Sequence, residues 1–234
     1  MTAVFAHRGA HLNVRENTLE ALGEAVLLGV AGVELDVRRS LDGVLVVHHD
    51  AVSEFLVIAE SPARDLPGYV PRLEEALATC SSVVVNVEIK NAPDEPGYDG
   101  SGTLVREVLA CVRNARSSAV ISCFDLATCD EIRRGDSSID VAWLSYKGTL
   151  DDDLETAREH GFNALNPHLS MVKSSAQSRA EELGLALNVW TVNEARDLAA
   201  MGNLGVASVI TDEPQLALEV LAASPERRVG DDAG

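Results

Sequence analysis

Eight short runs rich in β-branched residues recur along the chain, at 3–7, 32–37, 83–89, 119–123, 140–144, 162–166, 185–191 and 206–211. Stretches with helical periodicity separate them, at 17–28, 72–79, 103–114, 126–134, 151–160, 174–183 and 194–201, and a last one follows at 214–222. Strict alternation of strand and helix makes the strands parallel, because each crossover brings the chain back to the same end of the sheet. Eight such units predict a closed (β/α)8 barrel of the TIM type rather than an open sheet. The 234 residues suit one such barrel. Residues 1–223 are therefore read as a single domain, and 224–234, with two Gly, a Pro and five charges, as a disordered tail. Asn17 and Glu20 fit a helix capping box, and Gly29, Gly161 and Gly184 stand where helices would end in a left-handed residue.

One apolar run breaks the alternation. Residues 44–48 follow the second strand after only a short connection, too short for a parallel crossover, so they predict an extra β-hairpin strand after strand 2. Asp42-Gly43 is a signal for a two-residue turn. A turn centred there pairs positions whose numbers sum to 85, which sets His49 across from Asp36 and puts Glu34, Asp36 and His49 on one face. A slip of one residue would present His48 instead. Residues 51–70 read as an irregular connection.

Charge narrows the function. A net charge of −18 disfavours nucleic acid and anionic membrane surfaces, both polyanions that need Lys and Arg. No apolar stretch is long enough for a membrane span, and the N-terminus lacks the pattern of a secretory leader, so the expected location is cytoplasmic. The four cysteines show no C-x2-C spacing, so neither a zinc site nor a disulfide framework is expected. A small anionic substrate would need locally concentrated positive charge, from a metal ion, from basic side chains, or from both.

Barrel active sites lie at the C-terminal ends of the strands, so polar residues ending apolar strands are the candidates. These are His7 and Arg8, Glu34 and Asp36, His49 and Asp50, then Asn86, Glu88 and Lys90, and finally Trp190, Thr191 and Asn193. Glu34, Asp36 and Glu88 converging on one rim would repel one another without protons or a cation, and an all-oxygen set suits Mg2+ or Ca2+. His7 and His49 can supply a general acid and a general base. Arg8 and Lys90 can hold a phosphate. The set describes phosphoryl transfer or hydrolysis on a small-molecule phosphodiester. Plainer roles remain open for some: Asn17 as a helix cap or a site contact, Glu88 as an ion-pair partner of Lys90, Trp190 as core or as a wall against substrate.

Taken in order, His7-Arg8-Gly9, Glu16-Asn17-Thr18, Glu34-Leu35-Asp36-Val37, His49-Asp50, Glu88-Ile89-Lys90, Trp190-Thr191-Val192-Asn193 and Thr211-Asp212-Glu213-Pro214 resemble the glycerophosphodiester phosphodiesterase family over nearly the whole chain. The resemblance implies that His7 and His49 are the catalytic pair and that Glu34, Asp36 and Glu88 hold a divalent ion. It also implies cleavage of glycerophosphodiesters to an alcohol and glycerol 3-phosphate, through attack of the glycerol 2-hydroxyl on phosphorus and a cyclic phosphate that water opens. A lyase that releases the cyclic phosphate, or a barrel that only binds a phosphodiester, would use the same residues. Two departures stand out: Ala51 to Val70 is short where the family carries an insertion, and Cys123-Phe124 replaces a Ser-Phe pair, which is expected to change a small polar group near the barrel interior.

Overall fold

A computed structural model describes residues 1–115 and 118–223. The tail expected at 224–234 lies outside the described residues. The chain runs β1 (Ala3–His7), α1 (Leu19–Leu28), β2 (Gly32–Arg39), β3 (Leu45–Val47), β4 (Val52–Ser53), β5 (Leu56–Val57), α2 (Leu73–Thr79), β6 (Val84–Ile89) and α3 (Thr103–Ala115). It continues through β7 (Ala119–Cys123), α4 (Leu126–Gly135), β8 (Asp140–Ser145), α5 (Leu150–Glu159), β9 (Ala164–Pro167), α6 (Ala176–Leu183), β10 (Ala186–Val189), α7 (Ala195–Leu204), β11 (Ser208–Thr211) and α8 (Pro214–Ala223). Eight of these strands pair in parallel in the order β1-β11-β10-β9-β8-β7-β6-β2, and β1 pairs with β2 to close the ring. The barrel expected from the alternation is therefore the fold, with β3 added outside the ring.

Alternation along each strand divides the side chains. Val33, Leu35, Val37, Val85, Val87, Ile89 and Ile121 point into the layer between strands and helices and are fully or nearly fully buried. Burying each contributes about 1.5–3 kcal/mol. The alternate residues face the barrel axis. In-register neighbours place His7, Glu34 and Asn86 at one level, and Asp36, Glu88 and Ser122 at the next level up. Below them the interior is closed by polar pairs: Asn188 Nδ2 donates to Asn166 Oδ1 at 2.8 Å, and Ser208 Oγ donates to Asn188 Oδ1 at 2.8 Å.

This parity corrects the expectation for Cys123. It belongs to the apolar layer outside the ring, its thiol donating to the Ile89 carbonyl at 3.1 Å, with burial pushing the thiol up to about 12. Ser122 is the small polar group at the interior.

The hairpin exists, but its register is off by one from the expected pairing. Val37 pairs with Val47, Arg38 with Val46 and Arg39 with Leu45, so paired numbers sum to 84. The cause is the loop. A two-residue turn of the expected type needs positive φ at both central residues, yet of Asp42 and Gly43 only Gly43 has it (φ 81°). Ser40 N donates to Val44 O, leaving the three-residue loop Leu41-Asp42-Gly43. Asp42 is held by tertiary contacts, its Oδ1 accepting from Ser40 Oγ at 2.7 Å and from Ala63 N at 2.9 Å.

Residues 51–70 are also more ordered than expected. They form the small β4–β5 ladder and two short 3-10 turns, because Ile58 and Leu66 bury against Val46 in a satellite core. At α1 the capping residue is Thr18, whose Oγ1 accepts from Ala21 N at 3.2 Å, rather than Asn17. Gly29, Gly161 and Gly184 take the left-handed φ anticipated for them.

Candidate active site

The first strand delivers His7 to the rim and then turns sharply. Arg8 and Gly9 both have positive φ (56° and 87°), and a Cβ at residue 9 would stand 2.6 Å from the Ala21 backbone, so only glycine fits beside α1. Arg8 N donates to the carbonyl of Glu34 at 2.9 Å and to its Oε2 at 3.1 Å, which ties the turn to β2.

Glu34 and Asp36 on β2 and Glu88 on β6 are 3%, 1% and 8% exposed, and one carboxylate oxygen from each lies within 4.8 Å of the others. Asp36 is the best supported. Asn17 Nδ2 donates to its Oδ2 at 2.8 Å, and Asp36 N donates back to Asn17 Oδ1 at 3.3 Å. Arg8 Nε lies 3.2 Å from the same Oδ2, and Lys90 Nζ lies 3.4 Å from Oδ1. Burial pushes the Asp36 carboxyl up, but Lys90, Arg8 and His49, with the Asn17 amide, bring it below its ordinary value. Asn17 therefore leaves the helix cap to Thr18 and uses a left-handed backbone (φ 56°) to reach β2.

Glu34 is the opposite case. Burial, joined by the charges of Asp36 and Glu88, pushes its carboxyl well above the usual range, and its Oε1 has no hydrogen-bond partner. Glu88 is pushed up by burial as well, partly offset by Lys90, whose Nζ donates to Glu88 Oε1 at 2.7 Å. Three buried carboxylates with an orphan oxygen make a donor set that fits a hard divalent cation.

His7 Nδ1 lies 2.6 Å from Asp212 Oδ1, and His11 Nε2 lies 3.2 Å from the same oxygen. Asn193 Nδ2 donates to Asp212 Oδ2 at 2.7 Å. Burial pushes the Asp212 carboxyl up, but the hydrogen bonds from His11 and His7, with the His7 charge and the Asn193 amide, hold it far below the carboxylate range. An ionised carboxylate only accepts, so Nδ1 of His7 donates to Asp212, and Nε2 lies inward, 3.8 Å from Glu34 Oε2.

A cavity of about 470 Å3 brings His7, Arg8, Glu34, His49, Glu88 and Lys90 together with Asn86, Phe124, Tyr146 and Trp190. His48 N donates to Asp36 O at 3.0 Å, so His48 takes the ladder position expected of His49. The strand has ended by then, and the bend at 49–50 carries His49 rather than His48 to the cavity. Asp50 Oδ1 lies 2.8 Å from His49 Nδ1, and Arg38 donates twice to the His49 carbonyl, at 2.9 and 2.7 Å. Arg8 is less free than expected for a phosphate holder, since Glu16 Oε1 takes its Nη1 at 2.9 Å. Trp190 forms a wall: its Nε1 donates to Asn166 O at 2.8 Å and its ring stands edge-on to Phe124 at 5.5 Å.

Asp212, Phe124 and Tyr146 are site residues that the strand-end reading missed. Asp212 follows the last apolar strand and satisfies the same rule that selected His7. The two rings carried no polar signal.

A family model described as the glycerophosphoryl diester phosphodiesterase family matches residues 7–216. A glycerophosphodiester phosphodiesterase from Caldanaerobacter subterraneus subsp. tengcongensis is 26% identical over 94% of this chain and 98% of its own length. The crystal structure of a glycerophosphodiester phosphodiesterase from Thermotoga maritima superposes with a TM-score of 0.80 at 25% identity, covering 94% of this chain and 98% of that one. A phosphodiesterase from Oleispira antarctica, solved in complex with the product sn-glycerol-3-phosphate, shares the fold with a TM-score of 0.80 at 22% identity, over 95% of this chain and 98% of that one.

Proposed function

This chain belongs to the glycerophosphoryl diester phosphodiesterase family, and from that premise we propose that it hydrolyses glycerophosphodiesters to an alcohol and glycerol 3-phosphate with residues 1–223 acting as one catalytic domain. The observation that carries the reading is one cavity holding His7 and His49 beside the buried carboxylates of Glu34 and Glu88, with Asp36 next to them. Small relatives named for this activity and the product complex of the Oleispira protein support it.

Glu34, Asp36 and Glu88 would hold a divalent ion, Mg2+ or Ca2+. When bound, that ion supplies positive charge that offsets the three carboxylates and the charge developing on the phosphoryl oxygens. Lys90 and Arg8 border the same space and draw the phosphodiester in. One histidine takes the proton of the glycerol 2-hydroxyl as its oxygen bonds to phosphorus, and the other protonates the alcohol oxygen as the P–O bond breaks. Water then opens the cyclic phosphate with the roles exchanged. The contact with Asp212 engages His7 Nδ1 and leaves Nε2 on the side of the cavity, where it would exchange the proton. Trp190 would lie against the glycerol backbone, and Asn17 acts by holding Asp36.

No helix among the described residues is long and apolar enough to cross a membrane. We place the enzyme in the cytoplasm, in glycerol and lipid breakdown, acting on small molecules rather than nucleic acid, consistent with its net charge of −18. Incubation with glycerophosphoethanolamine and glycerophosphocholine, with and without chelator, followed by phosphorus NMR, tests the reading. Glycerol 3-phosphate formed only with divalent ion is the expected result; accumulated cyclic phosphate, or no turnover with any metal, overturns it.

A further inference from the structure

His7, His11 and Asp212 meet at the seam between β1 and β11, and the mechanism above gives His11 no task. Asp212 Oδ1 meets two imidazole nitrogens, His7 Nδ1 at 2.6 Å and His11 Nε2 at 3.2 Å. One donor atom from each of the three residues lies within 4.8 Å of the others. We propose that these side chains form a second metal site, separate from the carboxylate cluster and suited to a borderline divalent ion such as Zn2+, and that its occupancy stops hydrolysis. The second half of that statement rests on the reading above, in which His7 exchanges a proton with the substrate.

Donor type separates the two sites. Glu34, Asp36 and Glu88 offer oxygen only, which suits Mg2+ or Ca2+, whereas two imidazoles and one carboxylate suit Zn2+ and its neighbours in the first transition row. Zn2+ holds nitrogen at about 2.0–2.1 Å and carboxylate oxygen at about 2.0–2.2 Å in a tetrahedron, which sets ligand atoms about 3.4 Å apart. The 3.2 Å pair is near that spacing, and the 2.6 Å pair reaches it by opening less than about 1 Å. Three protein ligands leave the fourth position to water. An ion can enter, because the side chains of His7, His11 and Asp212 are 17%, 20% and 30% exposed. His7 lines the catalytic cavity, with His11 and Asp212 behind it.

The ligands are held in place without the ion. Ala10 N donates to Ala21 O at 2.9 Å and Asn17 N to Arg8 O at 2.9 Å, which pins both ends of the loop that carries His11. Asn193 Nδ2 donates to Asp212 Oδ2 at 2.7 Å and Asp212 N donates to Asn193 Oδ1 at 2.9 Å, so the carboxylate keeps its orientation when Oδ1 turns to a metal. Binding sends the proton of His7 Nδ1 to solvent, since a metal-bound nitrogen carries none. The neutral ring then keeps its one proton on Nε2, the nitrogen 3.8 Å from Glu34 Oε2. With Nδ1 on the metal and Nε2 protonated, His7 has no lone pair for the glycerol hydroxyl proton.

Calorimetry of Zn2+ binding to the full chain, with Mg2+ saturating the carboxylate cluster, reads the site directly. One equivalent should bind to the wild type and to Glu34→Gln. His11→Gln can still donate to Asp212 and so keeps the loop contact, but it lacks the imidazole. It should bind Zn2+ more weakly by more than the roughly 10- to 100-fold that follows loss of a group that only orients a ligand, and Asp212→Asn should do the same. Turnover of glycerophosphoethanolamine should fall in step with Zn2+ occupancy in the wild type, without recovery in excess Mg2+, and whatever turnover His11→Gln retains should no longer respond. Zn2+ binding that excess Mg2+ abolishes, or binding equally tight in His11→Gln, overturns the site. Full turnover by the Zn2+-loaded wild type overturns its link to catalysis. Should no metal support hydrolysis of any glycerophosphodiester, the hydrolase reading fails, and the calorimetric comparison of wild type with His11→Gln still decides the site.

Discussion

His7 Nδ1 and Asp212 Oδ1 meet at 2.6 Å across the seam where the first and last strands of the barrel pair, although 205 residues separate them in sequence. The contact fixes the ring orientation and tautomer of His7 only in the closed barrel. Asp212→Asn keeps the shape but offers the ring a group that also donates, so Nδ1 no longer has to be the donor of that contact. We expect kcat to fall by about 100-fold with KM little changed. Stability should respond to pH with a definite sign. The folded carboxyl is held below its ordinary value, so it stabilises the fold above the unfolded value of about 3.9 and loses that contribution as pH falls through the folded one. Urea denaturation should show the wild type more stable than Asp212→Asn near neutrality, with the gap closing in acid. A gap that widens in acid contradicts the assignment.

Glu34 gives the opposite sign. Burial and the charges of Asp36 and Glu88 hold its carboxyl well above the ordinary range. It costs the fold nothing below the unfolded value of about 4.3 and more as pH rises toward the folded one. A divalent ion would cancel that cost, so the gain in Tm on adding Mg2+ or Ca2+ should be larger at about pH 8 than at about pH 5. At a metal concentration of 100 Kd the gain is about 2.7 kcal/mol, or roughly 5–10 °C for a chain of this size. Glu34→Gln without metal should melt no lower than the wild type at the higher pH, having lost a buried repulsion, and should lose most of the response to metal. A wild-type response in that variant would exclude Glu34 as a ligand.

The barrel was legible because its strands carry Val, Ile, Leu and Ala at the positions facing the helices and are flanked by helical periodicity, a local pattern that overlaps where the strands form. Two features of the site were not legible, for the same reason. Asp42-Gly43 is compatible with a two-residue or a three-residue loop, and the contact that accompanies the longer one, Ala63 N on Asp42 Oδ1, comes from 21 residues away. Asn17 looked like a cap because Asn favours caps and Glu20 follows three residues later, but the adjacent Thr18 supplies the cap and frees the amide for Asp36. Local chemistry permitted both outcomes, and tertiary partners decided between them.

Asn17 is consequently a positioning residue with a measurable signature. Asn17→Ala removes a two-point contact to Asp36 and leaves its backbone N–H without that acceptor, at a cost of about 1–3 kcal/mol. Metal affinity should weaken about 10- to 100-fold, the usual scale for losing a group that orients a ligand. Saturating metal should then recover most of kcat. If metal affinity is unchanged, the amide does not position Asp36 for a cation.

His48 and His49 are adjacent, and the register alone would choose the wrong one. With paired numbers summing to 84, the position opposite Asp36 belongs to His48, whose Nδ1 instead lies 2.9 Å from the Asp50 carbonyl. The ladder ends there, and Arg38 grips the carbonyl of His49 with two donors, which holds the bend that carries the His49 ring to the cavity. His49→Ala should therefore lower kcat by about 100-fold or more, and His48→Ala by only a few-fold. Arg38 provides a control that a chance placement would not satisfy. It is 5% exposed, also pairs with Glu95 at 2.7 Å, and never touches the carboxylate cluster directly in any of its hydrogen bonds or ion pairs. Arg38→Met retains much of its bulk but releases the carbonyl, so it should reduce kcat toward the His49→Ala level while leaving metal affinity within about threefold. Equal losses in the His48 and His49 variants would mean that the bend does not discriminate between them.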